Sequence, residues 1–212
     1  MSWSDSTPVE QVRFVVLDTE TTGFDARRDR IITIGALAIV NGEMLLEDSF
    51  EVMLPIAYNN SSVTVHDITR DQAREGMDED EALELFFDYF GDGVIVGHHI
   101  GHHIGHDIEA LSVAGERHFG MRVTNCWIDT MDLTLILERY GAFAGRQLPQ
   151  GYTLDTLCEM FGAAAHDRHT AGGDAFLTAQ VFLRLLKAAR NVGRITLAAI
   201  SEQFVADDKV GP

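Results

Sequence analysis

The feature that most constrains this chain is a strand-like run that breaks directly into carboxylates. Val12-Arg13-Phe14-Val15-Val16-Leu17 is rich in β-branched and apolar residues, and Asp18-Thr19-Glu20-Thr21-Thr22-Gly23 follows at once. A short run of this composition reads as a buried strand, stopped by the Thr/Gly turn after Glu20. Side chains two residues apart on a strand share a face, so Asp18 and Glu20 converge at its end. Two carboxylates meeting there invite a hard cation, because a divalent ion relieves their mutual repulsion.

The pattern that follows sets the fold class. Ile31 to Val40 reads as a second strand, Asn41-Gly42 as a hairpin turn, and Met44 to Val52 as a third strand antiparallel to the second. From Asp80, the residues Leu83, Phe86, Phe87 and Phe90 follow helical spacing, with acids in the first turn that suit the helix dipole. Val94-Ile95-Val96 predicts a short buried strand that feeds a helix over Ile108 to His118. Cys126-Trp127-Ile128 predicts a fifth strand, followed by a helix through Leu133, Ile136 and Leu137. Arg146 to Gly151 reads as a loop, and Thr153 as the cap of a helix carrying Leu154, Leu157 and Phe161. The longest helix is expected from about Gly173 to Arg190, with an apolar stripe at Phe176, Ala179, Val181, Leu183 and Leu186. A short helix is expected between Ile195 and Phe204. Three strands, a helix and then alternating strands and helices imply one α/β domain around a mixed sheet, without an internal linker. Its expected limits are residues 12–190, with an N-terminal tail over 1–11 and a short C-terminal helix and tail over 191–212.

A chain of 212 residues fits one globular domain with a substantial core. The N-terminal stretch lacks the basic and apolar regions of a secretory signal, and no apolar run approaches the ~20 residues of a membrane span. Cys126 and Cys158 are too few for a disulfide framework; they suit a reducing cytoplasm and read as small core residues. The net charge is −17, from 16 Lys and Arg against 33 Asp and Glu. That balance argues against extensive duplex binding, which needs a basic face. It leaves room for a small footprint at one strand end, with stretches such as Asp78-Glu79-Asp80-Glu81 forming solvated surface.

Two later blocks complete the acidic set. Asp107 follows a Gly/His-rich segment, and His169-Thr170-Ala171-Gly172-Gly173-Asp174 opens the longest helix. Asp174 is favoured as an anion near that helix start, and the glycines are expected to admit a substrate backbone. A carboxylate pair early, one carboxylate in the middle and a His five residues before a final Asp can build a two-metal site with a general base beside it.

In order and content these blocks resemble the DnaQ-like 3′–5′ exonucleases of the DEDDh group, over roughly residues 13 to 188. Asp18-Thr19-Glu20-Thr21-Thr22-Gly23 matches the first motif of that family, and His169 to Asp174 matches the H-x-A-x-x-D form of its third. Val65-His66-Asp67-Ile68-Thr69 resembles its H-G-I-T element, with Asp67 in place of glycine. Trp127-Ile128-Asp129-Thr130 and Tyr152-Thr153-Leu154-Asp155-Thr156-Leu157 resemble two further recurring segments.

The resemblance implies an RNase H-like fold, a five-stranded mixed sheet whose second strand runs antiparallel, flanked by helices. It implies two ions per site, Mg²⁺ or Mn²⁺. Asp18 would bridge both, Glu20 and Asp174 would complete the site of the ion that activates water, and Asp107 would hold the other. His169 would be the general base. Thr21, Thr22 and Gly23 would grip the terminal nucleotide, with His66 and His103 as further substrate contacts. The products would be nucleoside 5′-monophosphates.

The middle motif departs from the family's usual His-Asn-x-x-Phe-Asp. Here Gly97-His98-His99-Ile100 is repeated as Gly101-His102-His103-Ile104 and then as Gly105-His106-Asp107-Ile108. Removing one identical unit restores the family spacing, which places His103 at the usual Asn and His106 at the usual Phe. Four extra residues preserve strand alternation, and in a helix overshoot one turn by only ~40°. A rival reading makes the cluster a transition-metal site: in a continuous helix His98, His102 and His106 would share one face, suited to Zn²⁺ or Ni²⁺.

The leading expectation is thus a 3′–5′ exonuclease acting on single-stranded DNA or RNA ends, in proofreading, repair or RNA processing. The chain ends soon after the matched region, which weakens a tethered role beside a DNA polymerase, although a polymerase or repair partner remains an expectation. The alternative is a nucleic-acid-binding or interaction module with a DnaQ-like fold, impaired by the inserted repeat.

Overall fold

The apolar run after Val12 forms β1 (Phe14–Thr21), which continues through both carboxylates before it ends. The computed structural model describes residues 3–55, 76–98, 105–145, 149, 151–164 and 167–201. β2 (Ile31–Val40) and β3 (Glu43–Met53) form the expected antiparallel hairpin. Asn41 and Gly42 turn it with φ values of 53° and 77°, the left-handed pair that a two-residue hairpin requires. Then come α1 (Glu79–Phe90), β4 (Val94–Gly97), α2 (Gly105–Phe119), β5 (Trp127–Asp129) and α3 (Thr130–Arg139). α4 (Leu154–Phe161), α5 (Ala171–Asn191) and α6 (Leu197–Ser201) follow, and a single 3₁₀ turn over Val9–Gln11 precedes β1.

The sheet order is β3-β2-β1-β4-β5. β1, β4 and β5 run parallel, and β2 runs antiparallel to β1 and β3. This is the RNase H-like sheet that the resemblance implied. β3 is an edge strand and is largely exposed. Its Glu43, Glu47, Asp48 and Glu51 charge that edge against pairing with another sheet.

Strand alternation divides the core in two. Phe14 and Val16 face a core built with α3, α4 and α5, while Val15 and Leu17 face a second core built with α1 and α2. On the first side Phe14 meets Phe182 edge to face, with ring centroids 4.9 Å apart. Truncating a buried Phe of this kind costs about 3–5 kcal/mol. The same alternation carries to the end of β1. Asp18 and Glu20 point to the α5 side, and Thr19 and Thr21 to the α2 side.

α5 starts unusually close to the sheet. Asp18 is the register partner of Gly35 on β2. A Cβ at Gly35 would lie 2.3 Å from the carbonyl carbon of Ala171 and from the amide of Gly172. Only a glycine lets the first turn of α5 rest on β2 there, and that turn carries Asp174.

Several expectations are corrected. The buried face of α5 is Ala171, Asp174, Ala175, Thr178, Val181, Phe182, Leu185 and Ala189, joined by Leu177 and Ala179. Phe176, placed in the apolar stripe, is exposed, and Leu183 and Leu186 only flank the core; the stripe follows the i, i+3/i+4 rows through Ala171 instead. Cys158 is a core residue, but Cys126 is exposed because it precedes the edge strand β5. Residues expected as an N-terminal tail are docked: Pro8 bridges Thr196, Val9 N–H donates to Ile195 O at 2.9 Å, and Val9 is buried. His98 lies beyond β4 and outside any helix, its Nδ1 2.7 Å from Thr130 Oγ1. His98 thus belongs to no described helix, whereas a His98/His102/His106 metal face needs one continuous helix, and His102 lies outside the described residues. No helix among the described residues is long and apolar enough to cross a membrane.

Candidate active site

Asp18, Glu20 and Asp174 bring one carboxylate oxygen each to within 4.8 Å of one another. Two come from the end of β1 and the third from the first turn of α5. Thr170 fixes that turn as its N-cap, accepting from Gly173 N–H at 3.1 Å, which satisfies an otherwise unpaired donor. Burial, reinforced by Asp107, Glu20 and Asp174, pushes the Asp18 carboxyl well above the ordinary carboxylate range. Burial and then the charges of Asp174 and Asp107 push Glu20 up to about 7, with the Arg168 guanidinium pulling the other way. Carboxylates crowded this closely share protons or a cation. An all-oxygen donor set of this kind fits a hard divalent ion such as Mg²⁺ or Mn²⁺.

Asp107 approaches from the other face of β1. It sits in the first turn of α2, and Thr19 Oγ1 donates to its Oδ1 at 2.5 Å. It is not one of the three whose oxygens lie within 4.8 Å, yet among the neighbouring charges its own weighs most on Asp18, and it raises Glu20 as well. Its neighbour His106 places Nε2 3.1 Å from Thr21 Oγ1. The His106 ring lies 5.8 Å from that of Phe24, which is 96% exposed at the mouth of the site.

The Thr21-Thr22-Gly23 turn is held from within. Thr21 Oγ1 donates to Gly23 O at 2.8 Å. Thr22 is buried, its hydroxyl donating to Asp29 Oδ1 and accepting from Arg30 N–H, each at 3.0 Å. A Cβ at Gly23 would lie 2.6 Å from the Asp29 carboxylate, so the glycine makes room for Asp29. The glycines before Asp174 serve packing in the same way. A Cβ at Gly172 would meet Glu51 at 3.0 Å, and one at Gly173 would meet Asp167 O at 2.0 Å. These contacts give both glycines a packing role at the close start of α5.

His169 is exposed on the turn before α5, with φ 65°. Asp167 is also left-handed, with φ 53°, and its carbonyl accepts from Thr170 Oγ1 at 2.8 Å. His66 and the element around it lie outside the described residues, as does His103.

Four residues that the sequence reading did not single out belong to this region: Thr19, Phe24, Asp155 and Arg168. Arg168 carries the clearest signal, a cation beside a motif histidine in a chain of net charge −17. It donates through Nη1 to Asp174 and through Nε to Asp155 Oδ1 at 2.7 Å.

Comparisons with known proteins agree with this geometry. The family model described as the RNase T exonuclease matches residues 15–182. A DNA polymerase III subunit epsilon-like protein of Rhodobacter capsulatus is 33% identical over 201 residues, covering 92% of this chain and 26% of that protein. A PolC-type DNA polymerase III of Pediococcus pentosaceus is 30% identical, covering 88% of this chain and 12% of that protein. The chain thus spans a small part of the curated relatives it matches. Escherichia coli exonuclease I, solved with a dA16 oligonucleotide, superposes with a TM-score of 0.72 at 19% identity, covering 86% of this chain and 42% of that one. That likeness is one of fold. Because the family match runs through most of the chain, the protein belongs to the RNase T exonuclease family, as a homologue of the DnaQ-like epsilon and PolC-type exonucleases in the RNase H-like superfamily.

Proposed function

We propose that the protein is a metal-dependent 3′–5′ exonuclease that releases nucleoside 5′-monophosphates from the 3′ ends of single-stranded nucleic acid. The observation that carries this reading is the convergence of Asp18, Glu20 and Asp174 within 4.8 Å at the end of β1. In the proposed assignment Asp18, Glu20 and Asp174 would hold one ion, and Asp18 and Asp107 would hold the other. Two divalent ions, Mg²⁺ or Mn²⁺, supply when bound the charge that stabilises the attacking and leaving oxygens of the phosphodiester. His169 accepts the proton of the attacking water on an imidazole nitrogen, and its exposure leaves it open to solvent. Phe24 and His106 offer a platform for the terminal base, since stacking on an aromatic ring is worth about 1–3 kcal/mol per base. Thr21 and Gly23 shape the edge of that platform.

The net charge of −17 supports a short footprint, in which few phosphates are contacted and salt dependence is shallow. The relatives named as parts of DNA polymerase III, and the dT13 and dA16 oligonucleotides bound to exonuclease I, favour DNA over RNA. They also support work in the cytoplasm beside a DNA polymerase or repair complex.

The deciding experiment incubates the purified chain with 3′-labelled and 5′-labelled single strands of DNA and RNA, with Mg²⁺ or Mn²⁺. Mononucleotide release from the 3′ end, stopped by a chelator, is expected. Internal cleavage, or release that persists in chelator, would overturn the reading. A second reading, a nucleic-acid-binding module of low activity, is favoured by one observation: Asp107 is engaged by Thr19 outside the carboxylate group. Tight binding of the labelled strand without release would select it.

A further inference from the structure

Arg168 joins the first turns of α4 and α5. Its Nε donates to Asp155 Oδ1 at 2.7 Å and its Nη2 reaches Oδ2 at 3.4 Å, a side-on fork on the first turn of α4. Its Nη1 donates to Oδ1 of Asp174, in the first turn of α5. The side chains of Arg168 and Asp174 are 19% and 12% exposed, whereas that of Asp155 is 61% exposed. The planar guanidinium is therefore gripped at both ends, a geometry that a lysine ammonium cannot reproduce.

The backbone on either side of Arg168 is unusual. Asp167 and His169 have φ values of 53° and 65°, a region uncommon for residues other than glycine and visited by Asp and His more than by most. The bond from Thr170 Oγ1 to Asp167 O braces one end of this turn. The forked grip on Asp155 braces its middle, one residue before His169. The bond to Asp174 uses one oxygen, so it orients that carboxylate while the other oxygen can face Asp18 and Glu20. Asp155 balances the charge of the guanidinium; the Arg168 hydrogen bond holds the Asp155 carboxyl below its usual range.

We propose that Arg168 is a positioning residue which, anchored on Asp155, sets both the orientation of Asp174 and the left-handed turn that presents His169. One side chain thereby couples the metal-binding and proton-accepting parts of the site. The proposal rests on the roles given above to Asp174 and His169. Outer partners that orient ligating carboxylates typically govern 10–100-fold in metal affinity.

The experiment uses the full chain and three variants, Arg168→Gln, Arg168→Lys and Asp155→Asn. Mn²⁺ binding is followed by the electron paramagnetic resonance signal of the free ion, and hydrolysis of a 3′-labelled single strand is measured separately. Arg168→Gln should weaken Mn²⁺ binding about 10–100-fold and lower kcat, with KM for the oligonucleotide nearly unchanged. Arg168→Lys should not restore either quantity. Asp155→Asn, altering an exposed carboxylate that touches no proposed metal ligand, should move both in the same direction by less, and it remains informative if Arg168→Gln does not fold. Unchanged Mn²⁺ binding in the folded variants would make Arg168 a structural strut only. Tighter binding would show instead that its guanidinium competes with metal for Asp174, and either result overturns the proposal. The Mn²⁺ measurement does not need nuclease activity, so failure of the proposed function is read separately from failure of this one.

Discussion

On the α5 side of β1, Asp18 and Glu20 meet Asp174 across a contact set by close packing. Gly35 lets the first turn of α5 rest on the sheet, and Arg168 ties that turn to α4. On the α2 side, Thr19 and Thr21 meet Asp107 and His106, which arrive at the end of the repeated Gly-His-His-Ile connection. The first half of the site is fixed by backbone-to-backbone approach, and the second by the side-chain hydrogen bonds that join Thr19 to Asp107 and Thr21 to His106. Packing tolerates little variation, whereas two side-chain bonds adjust more readily. The contrast locates the more adjustable half of this site at Asp107.

The largest expected effect breaks the packed half. Asp174→Ala should reduce metal-dependent hydrolysis to background while the fold survives, because removing one of several crowded carboxylates relieves repulsion. Release assays and thermal unfolding read the two consequences; near-normal hydrolysis would remove Asp174 from the proposed metal site. His169→Ala should slow hydrolysis by about 10²–10⁴-fold, the usual range for a lost general base, with Mn²⁺ binding little altered. The deficit should shrink as pH rises and hydroxide becomes available, and a wild-type rate at neutral pH would reduce His169 to a turn residue.

Deleting Gly101 to Ile104 tests the adjustable half. Restoring the family spacing should raise kcat by up to about 10²-fold, the scale on which a misplacement of 1 Å matters, with stability at least retained. Equal or lower activity in a folded protein would show that the repeat contributes contacts of its own.

The smallest effect is a pH dependence. Glu20 rises from 4.5 to about 7 on folding and Asp18 shifts in the same direction, so the folded state holds more protons than the unfolded one between those limits. Stability in chelator should therefore fall as pH climbs from about 4.5 to 7, as proton linkage requires. Thermal scans across that window check the sign, Glu20→Gln should flatten the slope, and a rise with pH would contradict the crowding of these carboxylates.

The fold was legible because its signals are local. The β-branched run into Asp18, the Asn41-Gly42 turn and the Thr153 cap each specify their own element, and the hairpin fixes the reversed strand. The carboxylate cluster was legible through spacing: two residues apart on a strand and a position in the first turn of a helix are geometric statements. What escaped were relations between distant segments. Nothing near Gly35 announces that Ala171 will rest on it. Thr19 carries no signal of its own between two acids, and only alternation turns it to the α2 face and onto Asp107. Arg168 needed Asp155, thirteen positions earlier, to reveal what it holds.

The pairing of Pro8 with Thr196, with Leu197 N–H on Thr7 O and Ala198 N–H on Asp5 O, closes the two ends of the fold against each other. A domain whose entry and exit share one spot can be spliced into a longer polypeptide like an eyelet sewn on by a single stitch. The host chain continues almost where it left off, and the sheet and its acidic pocket are carried along without being pulled apart.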